Sequence, residues 1–187
     1  MPWKDVSGYQ IMTQSHDFSC GMACVAMFVN RVDFSKPAES TVIAASKRVA
    51  GGSYTPAFKD RAMVQGTGMR MLTATTPVKE SPDAGTYMEN LANILTQWKI
   101  PATVRQGSAL TYIQAARSGS PVIAQVEWSG GGGSHFVLIE KFEPGAPKGL
   151  IICDPAYALC AQTLSTTYSP QSGVSGKFIN WTVTRKN

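Results

Sequence analysis

The chain has 187 residues, of which 43% are hydrophobic and 16% are charged, and its formal net charge is +5. This length suits one domain with a buried core, and the composition is typical of a soluble globular protein. The basic residues are scattered and never run longer than two, so we expect a solvated charged surface and no nucleic-acid partner.

The first residues show no basic stretch followed by an apolar run, and no segment of the sequence predicts a membrane span. We therefore expect either a cytoplasmic location or secretion by a signal-independent system into a host or competitor cell. Residues 1–13 predict an extended arm. No internal repeat or domain boundary is visible, so the sequence predicts a single domain over residues 1–187.

The stretch from Gln14 to Cys24 contains the first candidate for chemistry. Cys20 lies where a polar, turn-rich segment gives way to an apolar run without Gly or Pro, residues 22–29, which predicts a helix over residues 20–32. A thiol in the first helical turn faces backbone N–H groups and the positive end of the helix dipole, and both favour the thiolate. Gln14, six residues upstream, is expected to bring its side-chain amide beside this sulfur, where an amide N–H would donate to an oxyanion formed when sulfur attacks a carbonyl.

The rest of the chain predicts further helices and an antiparallel sheet. Residues 53–85 fit neither the helical nor the strand period, so no element is assigned there. Helices are expected over residues 40–49, 82–98 and 108–117. Strands are expected over residues 102–105, 121–128, 134–142 and 149–154, with residues 177–184 as a closing edge strand. Helices followed by strands predict an α+β architecture.

The four cysteines do not predict a disulfide framework. Cys20 and Cys24 lie four residues apart on one predicted helix, which disulfide geometry tolerates poorly, and no Cys-x-x-Cys metal motif occurs. Cys24 and Cys153 are expected to be small core residues. Cys153 can pair with Cys160 only if a turn brings the two together. We expect reduced thiols, and neither a metal nor another cofactor.

The choice of a base is narrow because the sequence has two histidines. His135 begins a predicted strand directly after four glycines, where we expect its imidazole to be exposed at the edge of a cleft. Asp154 ends the next predicted strand. An antiparallel hairpin with its turn at residues 144–147 would place both at the same open end. The carboxylate would then accept from one imidazole nitrogen and leave the other for the thiol.

Other candidates for the site have plainer interpretations. His16 shares the loop of the candidate nucleophile, so it is expected at the surface, and Asp17 is expected to cap a turn. Cys24 is a poorer nucleophile because it lies a full turn inside an apolar helix. Trp128 and Tyr157 are expected to be packing residues.

The order Gln, Cys, His, Asp resembles the papain-like cysteine protease superfamily. Within it, the sequence looks most like the double-glycine leader peptidases of bacteriocin exporters and the secreted papain-fold proteases of plant-pathogenic bacteria. The resemblance rests on Gln14-x5-Cys20-Gly21-x2-Cys24, on His135-Phe136-Val137-Leu138-Ile139 and on Asp154-Pro155. It departs from the leader peptidases at Ser19, where they usually carry an acidic residue.

The resemblance implies a papain-like fold, in which a helical N-terminal half with the nucleophile packs on an antiparallel sheet with the base and its carboxylate. It implies Gln14 in the oxyanion hole, Cys20 as the nucleophile, His135 as the base and Asp154 as its orienting partner. The implied function is a cysteine peptidase acting on a peptide or protein substrate. A bacterial effector or toxin, with an immunity or inhibitor protein as partner, is a further expectation.

Two alternatives stay open from the sequence. The same triad serves an amidase, a deamidase or an acyltransferase, including a peptidoglycan hydrolase. A papain-fold binding module with a catalytically silent triad is the non-enzymatic alternative.

Overall fold

The computed structural model describes residues 3–15, 19–46, 48, 88–106, 111–130, 133–144, 149–163 and 166–186. The helices in these ranges are α1 (Cys20–Asp33), α2 (Glu39–Ser46), α3 (Met88–Leu95) and α4 (Thr111–Arg117). The strands are β1 (Trp3–Val6), β2 (Tyr9–Met12), β3 (Ala102–Gln106), β4 (Val122–Trp128), β5 (Ser134–Glu143), β6 (Gly149–Asp154), β7 (Leu159–Thr163), β8 (Thr167–Gln171) and β9 (Val174–Arg185). A 3₁₀ turn, Thr96–Trp98, follows α3.

Helix α1 lies at the centre of one core layer. Every residue from Cys20 to Asn30 is buried, because α2, α3, β2 and the sheet all pack against this helix. The absence of Gly and Pro after its first turn agrees with the helix that the sequence predicts. The helix ends at Asp33, and its C-cap Phe34 takes a left-handed conformation with φ of 62°.

The main sheet is antiparallel, with the strand order β3-β9-β4-β5-β6-β7 and β8 added beside β9. Helices α1 and α3 cover one face, and α4 packs on the other. Strand β6 is buried along its whole length, β4 along most of its length and β5 over residues 135–139, since side chains on both faces of these stretches lie in a core. The predicted α+β class, with a helical N-terminal part against an antiparallel sheet, is confirmed.

Several predicted elements differ from the structure. The predicted closing edge strand is an interior strand, because β9 pairs with both β3 and β4. Its alternating pattern indicates that one face of the strand is buried, but it does not indicate which strands lie beside it. The predicted N-terminal arm is a hairpin of β1 and β2. The second helix ends at Ser46, earlier than expected. Strands β7 and β8 were not predicted, and residues 53–85 lie outside the described ranges.

The turn at residues 155–158 brings two cysteines together across β6 and β7. Cys153 lies directly opposite Cys160 in the sheet register, and both thiols are free. Their side chains share a hydrogen bond, which is the largest cause of the raised pKa of Cys153. None of the helices in the described ranges has the length and apolar composition that a membrane crossing requires.

Gly176 in β9 makes room for an aromatic stack between its neighbouring strands. It lies opposite Trp128 of β4 and opposite Tyr168 of β8. These two rings stack with their centroids 6.2 Å apart. A Cβ at position 176 would lie 2.8 Å from Cε3 of Trp128 and 2.5 Å from Cγ1 of Val126. The sheet therefore needs glycine here for close approach rather than for a special backbone angle.

We expect Gly176→Ala to lower the free energy of unfolding by about 1–3 kcal/mol, because the added methyl group overpacks the contact with Trp128. Chemical denaturation followed by fluorescence measures this change. Lys177→Ala, at an exposed position next in the same strand, is the control and should leave stability nearly unchanged. Equal midpoints for Gly176→Ala and the wild type would contradict the packing argument.

Candidate active site

Cys20 is the first residue of α1 and is 7% exposed. Ser19 is the N-cap, and its hydroxyl makes no capping hydrogen bond to the helix. The first helical hydrogen bond runs from the Ala23 N–H to the Ser19 carbonyl at 3.1 Å. The N–H groups that precede Ala23 in the first turn therefore face the end of the helix where the sulfur lies, and their positive charge favours a thiolate.

Cys24 lies one turn further along α1 and has no exposed surface. Burial, followed by the negative charges of Cys20 and Asp154, raises its pKa well above the ordinary thiol value. A buried thiol that resists ionisation is a poor nucleophile. Cys24 is thus a core residue, as the sequence predicts.

His135 and Asp154 meet at the open end of the β5–β6 pair. The two strands are antiparallel, with Leu138 opposite Cys153, so the predicted hairpin pairing is present. His135 Nε2 lies 2.9 Å from Asp154 Oδ1. Both residues are buried, with exposed fractions of 6% and 0%. A carboxylate at this distance fixes the imidazole orientation and stabilises its protonated form.

Asp154 is held by a full set of donors. Its Oδ1 accepts from the Ala156 N–H at 2.8 Å and from the Tyr157 N–H at 3.3 Å, and its Oδ2 accepts from the Tyr168 hydroxyl at 2.7 Å. Burial alone would raise the pKa of this carboxyl, but the hydrogen bond and charge of His135, together with Tyr168 and the Ala156 N–H, lower it below the ordinary aspartate value. Asp154 is therefore an anion despite its burial.

The imidazole of His135 also hydrogen-bonds to Cys20. Because Nε2 is bound to Asp154, Nδ1 is the nitrogen that faces the sulfur. Burial lowers the pKa of His135, but the charge of Cys20, the hydrogen bond with Asp154 and the hydrogen bond with Cys20 raise it more, to about 10. This environment favours a protonated imidazole beside the Cys20 sulfur.

An aromatic cluster covers the imidazole. The Trp128 ring stacks on His135 with centroids 5.5 Å apart and an angle of 19° between planes. Tyr157 meets Trp128 edge-on at 6.4 Å. The expected exposure of His135 is therefore wrong, because a neighbouring strand supplies a ring that shields it. Trp128 does pack, as predicted, but it packs on the candidate base, where an aromatic face stabilises a cation.

Gln14 lies close to the turn that follows Asp154. Its backbone N–H donates to the Pro155 carbonyl at 3.1 Å, and the residue is half-buried. This bond attaches the segment before α1 to the end of the sheet that carries the His135–Asp154 pair. The proposed oxyanion role of its side chain stays a prediction. His16 and Asp17 lie outside the described residues.

Two residues near the site were missed from the sequence. Tyr168 belongs to a stretch to which we assigned no element, and Glu39 stands at the start of α2, where its carboxylate accepts from the backbone and side chain of Ser15. For Tyr168, the only signal in the sequence is that it is an isolated tyrosine in a polar stretch. Among the described residues, no group of three or more His, Cys, Asp or Glu is arranged to hold a metal ion.

Comparison with solved structures identifies the fold. No family model and no curated protein matches the sequence. The crystal structure of the peptidase domain of Streptococcus ComA, a bifunctional ABC transporter involved in quorum sensing, matches with a TM-score of 0.58 at 14% identity, over 95% of this chain and 97% of that one. The chain has the papain-like fold of such peptidase domains.

A second structure supports the same fold. It is a double-glycine-motif protease from an AMS/PCAT transporter in complex with the leader peptide, with a TM-score of 0.53 and 14% identity, over 97% of this chain and 96% of that one. The papain-like fold that the sequence resemblance implied is confirmed. At this identity the likeness concerns the fold alone.

We expect Tyr168→Phe to lower the free energy of unfolding at pH 7 by about 1–3 kcal/mol, because Asp154 Oδ2 loses a buried donor. A lowered carboxyl pKa adds stability above the ordinary Asp pKa, and this stability is lost as pH falls through the folded-state pKa. The variant raises that pKa, so acid unfolding should begin at a higher pH. Tyr157→Phe, which removes a half-buried hydroxyl from the same cluster, is the control for both measurements.

The His135 imidazole should stay protonated until the pH approaches its pKa of about 10. Its charge adds stability that is complete below the ordinary histidine value of 6.5 and is lost as pH rises through about 10. Cys20→Ala should lower the pKa of His135, because the charge of Cys20 is the largest cause that raises it. NMR titration of the two histidines measures this, and His16→Asn identifies the His135 signal. An unchanged His135 titration in Cys20→Ala would exclude the ion pair.

Proposed function

We propose that this protein is a cysteine peptidase that hydrolyses peptide bonds through Cys20, His135, Asp154 and Gln14. One observation carries the proposal: a single buried imidazole hydrogen-bonds to a thiol at a helix start and to a fully satisfied carboxylate. The base is thus in direct contact with both the nucleophile and the orienting group, which is the geometry that nucleophilic catalysis requires. The papain-like fold supports this assignment.

The first half of the reaction forms a thioester. The Cys20 thiolate attacks the carbonyl carbon, and the new oxyanion accepts hydrogen bonds from the Cys20 N–H and the Gln14 amide. His135 donates its Nδ1 proton to the leaving amine as the C–N bond breaks. Asp154 keeps the imidazole oriented through Nε2 and stabilises its charge before the proton leaves.

The second half returns the enzyme to its resting form. Neutral His135 takes a proton from water, which attacks the thioester carbonyl through a second oxyanion at the same place. The C–S bond breaks, the product leaves as a carboxylic acid that loses its proton to solvent, and the thiolate–imidazolium pair is restored. The aromatic cover of Trp128 limits the access of bulk water to the imidazole between these steps.

A peptide or protein is the proposed substrate. The AMS/PCAT protease with the same fold was solved in complex with its leader peptide, which supports a peptide in this site as well. Delivery into a host or competitor cell, and an immunity or inhibitor protein, remain predictions from the sequence. Detection of the protein in recipient cells after co-culture tests the delivery.

Alkylation of Cys20 by iodoacetamide is the direct test of the activated thiol. At pH 6 an ordinary thiol is less than about 1% ionised, so loss of the ion pair in His135→Ala should slow alkylation by about 100-fold. Mass spectrometry of tryptic peptides locates the label and gives the rate. Hydrolysis of a peptide library by the wild type, abolished in Cys20→Ala, then identifies the reaction.

Cys24→Ala is the matched control, since it removes a thiol from the same helix, and it should alkylate at Cys20 as fast as the wild type. Slow alkylation that does not depend on His135 would contradict the enzyme and favour the binding module. Fast alkylation without peptide cleavage, but with release of ammonia or acyl transfer, would favour the amidase, deamidase or transferase alternative.

A further inference from the structure

Glu39 is a buried charged residue that the proposed mechanism does not use. Among the described residues, the charged side chains classed as buried are Glu39, His135 and Asp154, and the last two form the ion pair of the site. Glu39 is 3% exposed at the first position of α2. Withdrawing a carboxylate from water is costly unless hydrogen-bond donors replace the water, so its partners matter.

The partner of Glu39 is Ser15, 24 residues earlier in the chain. The Ser15 N–H lies 3.0 Å from Oε2 and 3.3 Å from Oε1 of the carboxylate. The Ser15 hydroxyl donates to the same Oε2. Charge-assisted bonds to both the backbone and the side chain of one residue fix its position and its orientation. Glu39 therefore holds the segment between β2 and α1 from the side of α2.

Gln14 lies between this contact and the sheet. Its own N–H donates to the Pro155 carbonyl at 3.1 Å, next to Asp154 in the chain. The peptide before Gln14 is thus attached to the end of the sheet through the Gln14 N–H, and the peptide after it is attached to Glu39 through the Ser15 N–H. With both N–H groups bound, the backbone torsions that aim the Gln14 side chain have little freedom.

We propose that Glu39 is a positioning residue that acts through Ser15 to hold Gln14 where its amide donates to the oxyanion. The inference rests on the proposed function, because it concerns an oxyanion formed at Cys20. Hydrogen-bond donors stabilise a transition state only when they are already in place, and a displacement of about 1 Å costs about 100-fold in rate. The buried Glu39 carboxylate binds the residue next to Gln14, and this contact would keep the Gln14 amide positioned to that precision.

Two reactions of Cys20 separate this role from a general structural one. Iodoacetamide alkylation displaces iodide at a saturated carbon and forms no oxyanion. With p-nitrophenyl acetate, the sulfur attacks the carbonyl carbon, an oxyanion forms, and the C–O bond breaks to release p-nitrophenolate. Water then hydrolyses the acetyl thioester. The ratio of acylation rate to alkylation rate therefore reports on the oxyanion contacts alone.

We expect Glu39→Gln to lower the acylation rate by between about tenfold and 100-fold while alkylation changes less than about twofold. Gln14→Ala should lower acylation by about 100-fold, and adding Glu39→Gln to it should cause little further loss, because both act on one contact. Glu89→Gln is the matched control, since Glu89 is an exposed glutamate in the first turn of α3. It should leave both rates unchanged.

Ser15→Ala is a milder variant, because it removes the hydroxyl contact with Glu39 and keeps the N–H contact. It tests the role of Glu39 if Glu39→Gln does not fold. It should lower the same ratio by a smaller factor. An equal loss of both rates, an unchanged ratio, or fully additive losses with Gln14→Ala would overturn the role of Glu39. Failure of His135-dependent alkylation in the wild type would instead overturn the proposed function itself, so the two failures are distinguishable.

Discussion

The buried pair of His135 and Asp154 is the interaction on which the rest of the site depends. Two groups with almost no exposure form an ion pair at 2.9 Å, and an isolated charge in either place would be strongly unfavourable. The surroundings compensate for this burial with the Tyr168 hydroxyl and two backbone N–H groups on the carboxylate, and with the Trp128 face on the imidazole. Since both residues have partners that compensate for their burial, the pair can keep the imidazole protonated beside Cys20.

The helix and the sheet contribute opposite charges to this arrangement. The start of α1 favours a negative sulfur through its N–H groups, whereas the end of β6 favours a positive imidazole through its carboxylate. The raised pKa of His135 results from both, because Cys20 and Asp154 each raise it against the effect of burial. The segment with Gln14 and Ser15 joins the sheet to α2 beside this contact. The fold thus brings the sheet residues His135 and Asp154, far from Cys20 in sequence, to one thiol.

Features of the site that depend on local pattern were predictable, and those that depend on distant partners were not. The apolar run after Cys20 specified a helix start, and two apolar strands with a turn between them placed His135 near Asp154. Tyr168 and Trp128 reach the pair from other strands whose neighbours no local pattern specifies. The alternation of residues 177–184 indicated a strand with one buried face, but the same pattern suits an edge and an interior strand, so the position of β9 was wrong.

The interior position of β9 has a consequence for the way the protein is made. The ribosome releases Cys20, His135 and Asp154 before it releases Tyr168 and the strand with Gly176. A nascent chain therefore carries all three site residues while the Tyr168 hydroxyl and the strand that lies between β3 and β4 are still missing. Pairings between strands so distant in sequence form late and slowly. The hydrogen bond from Tyr168 to Asp154 is thus expected to form only after the segments with Cys20, His135 and Asp154 have been made.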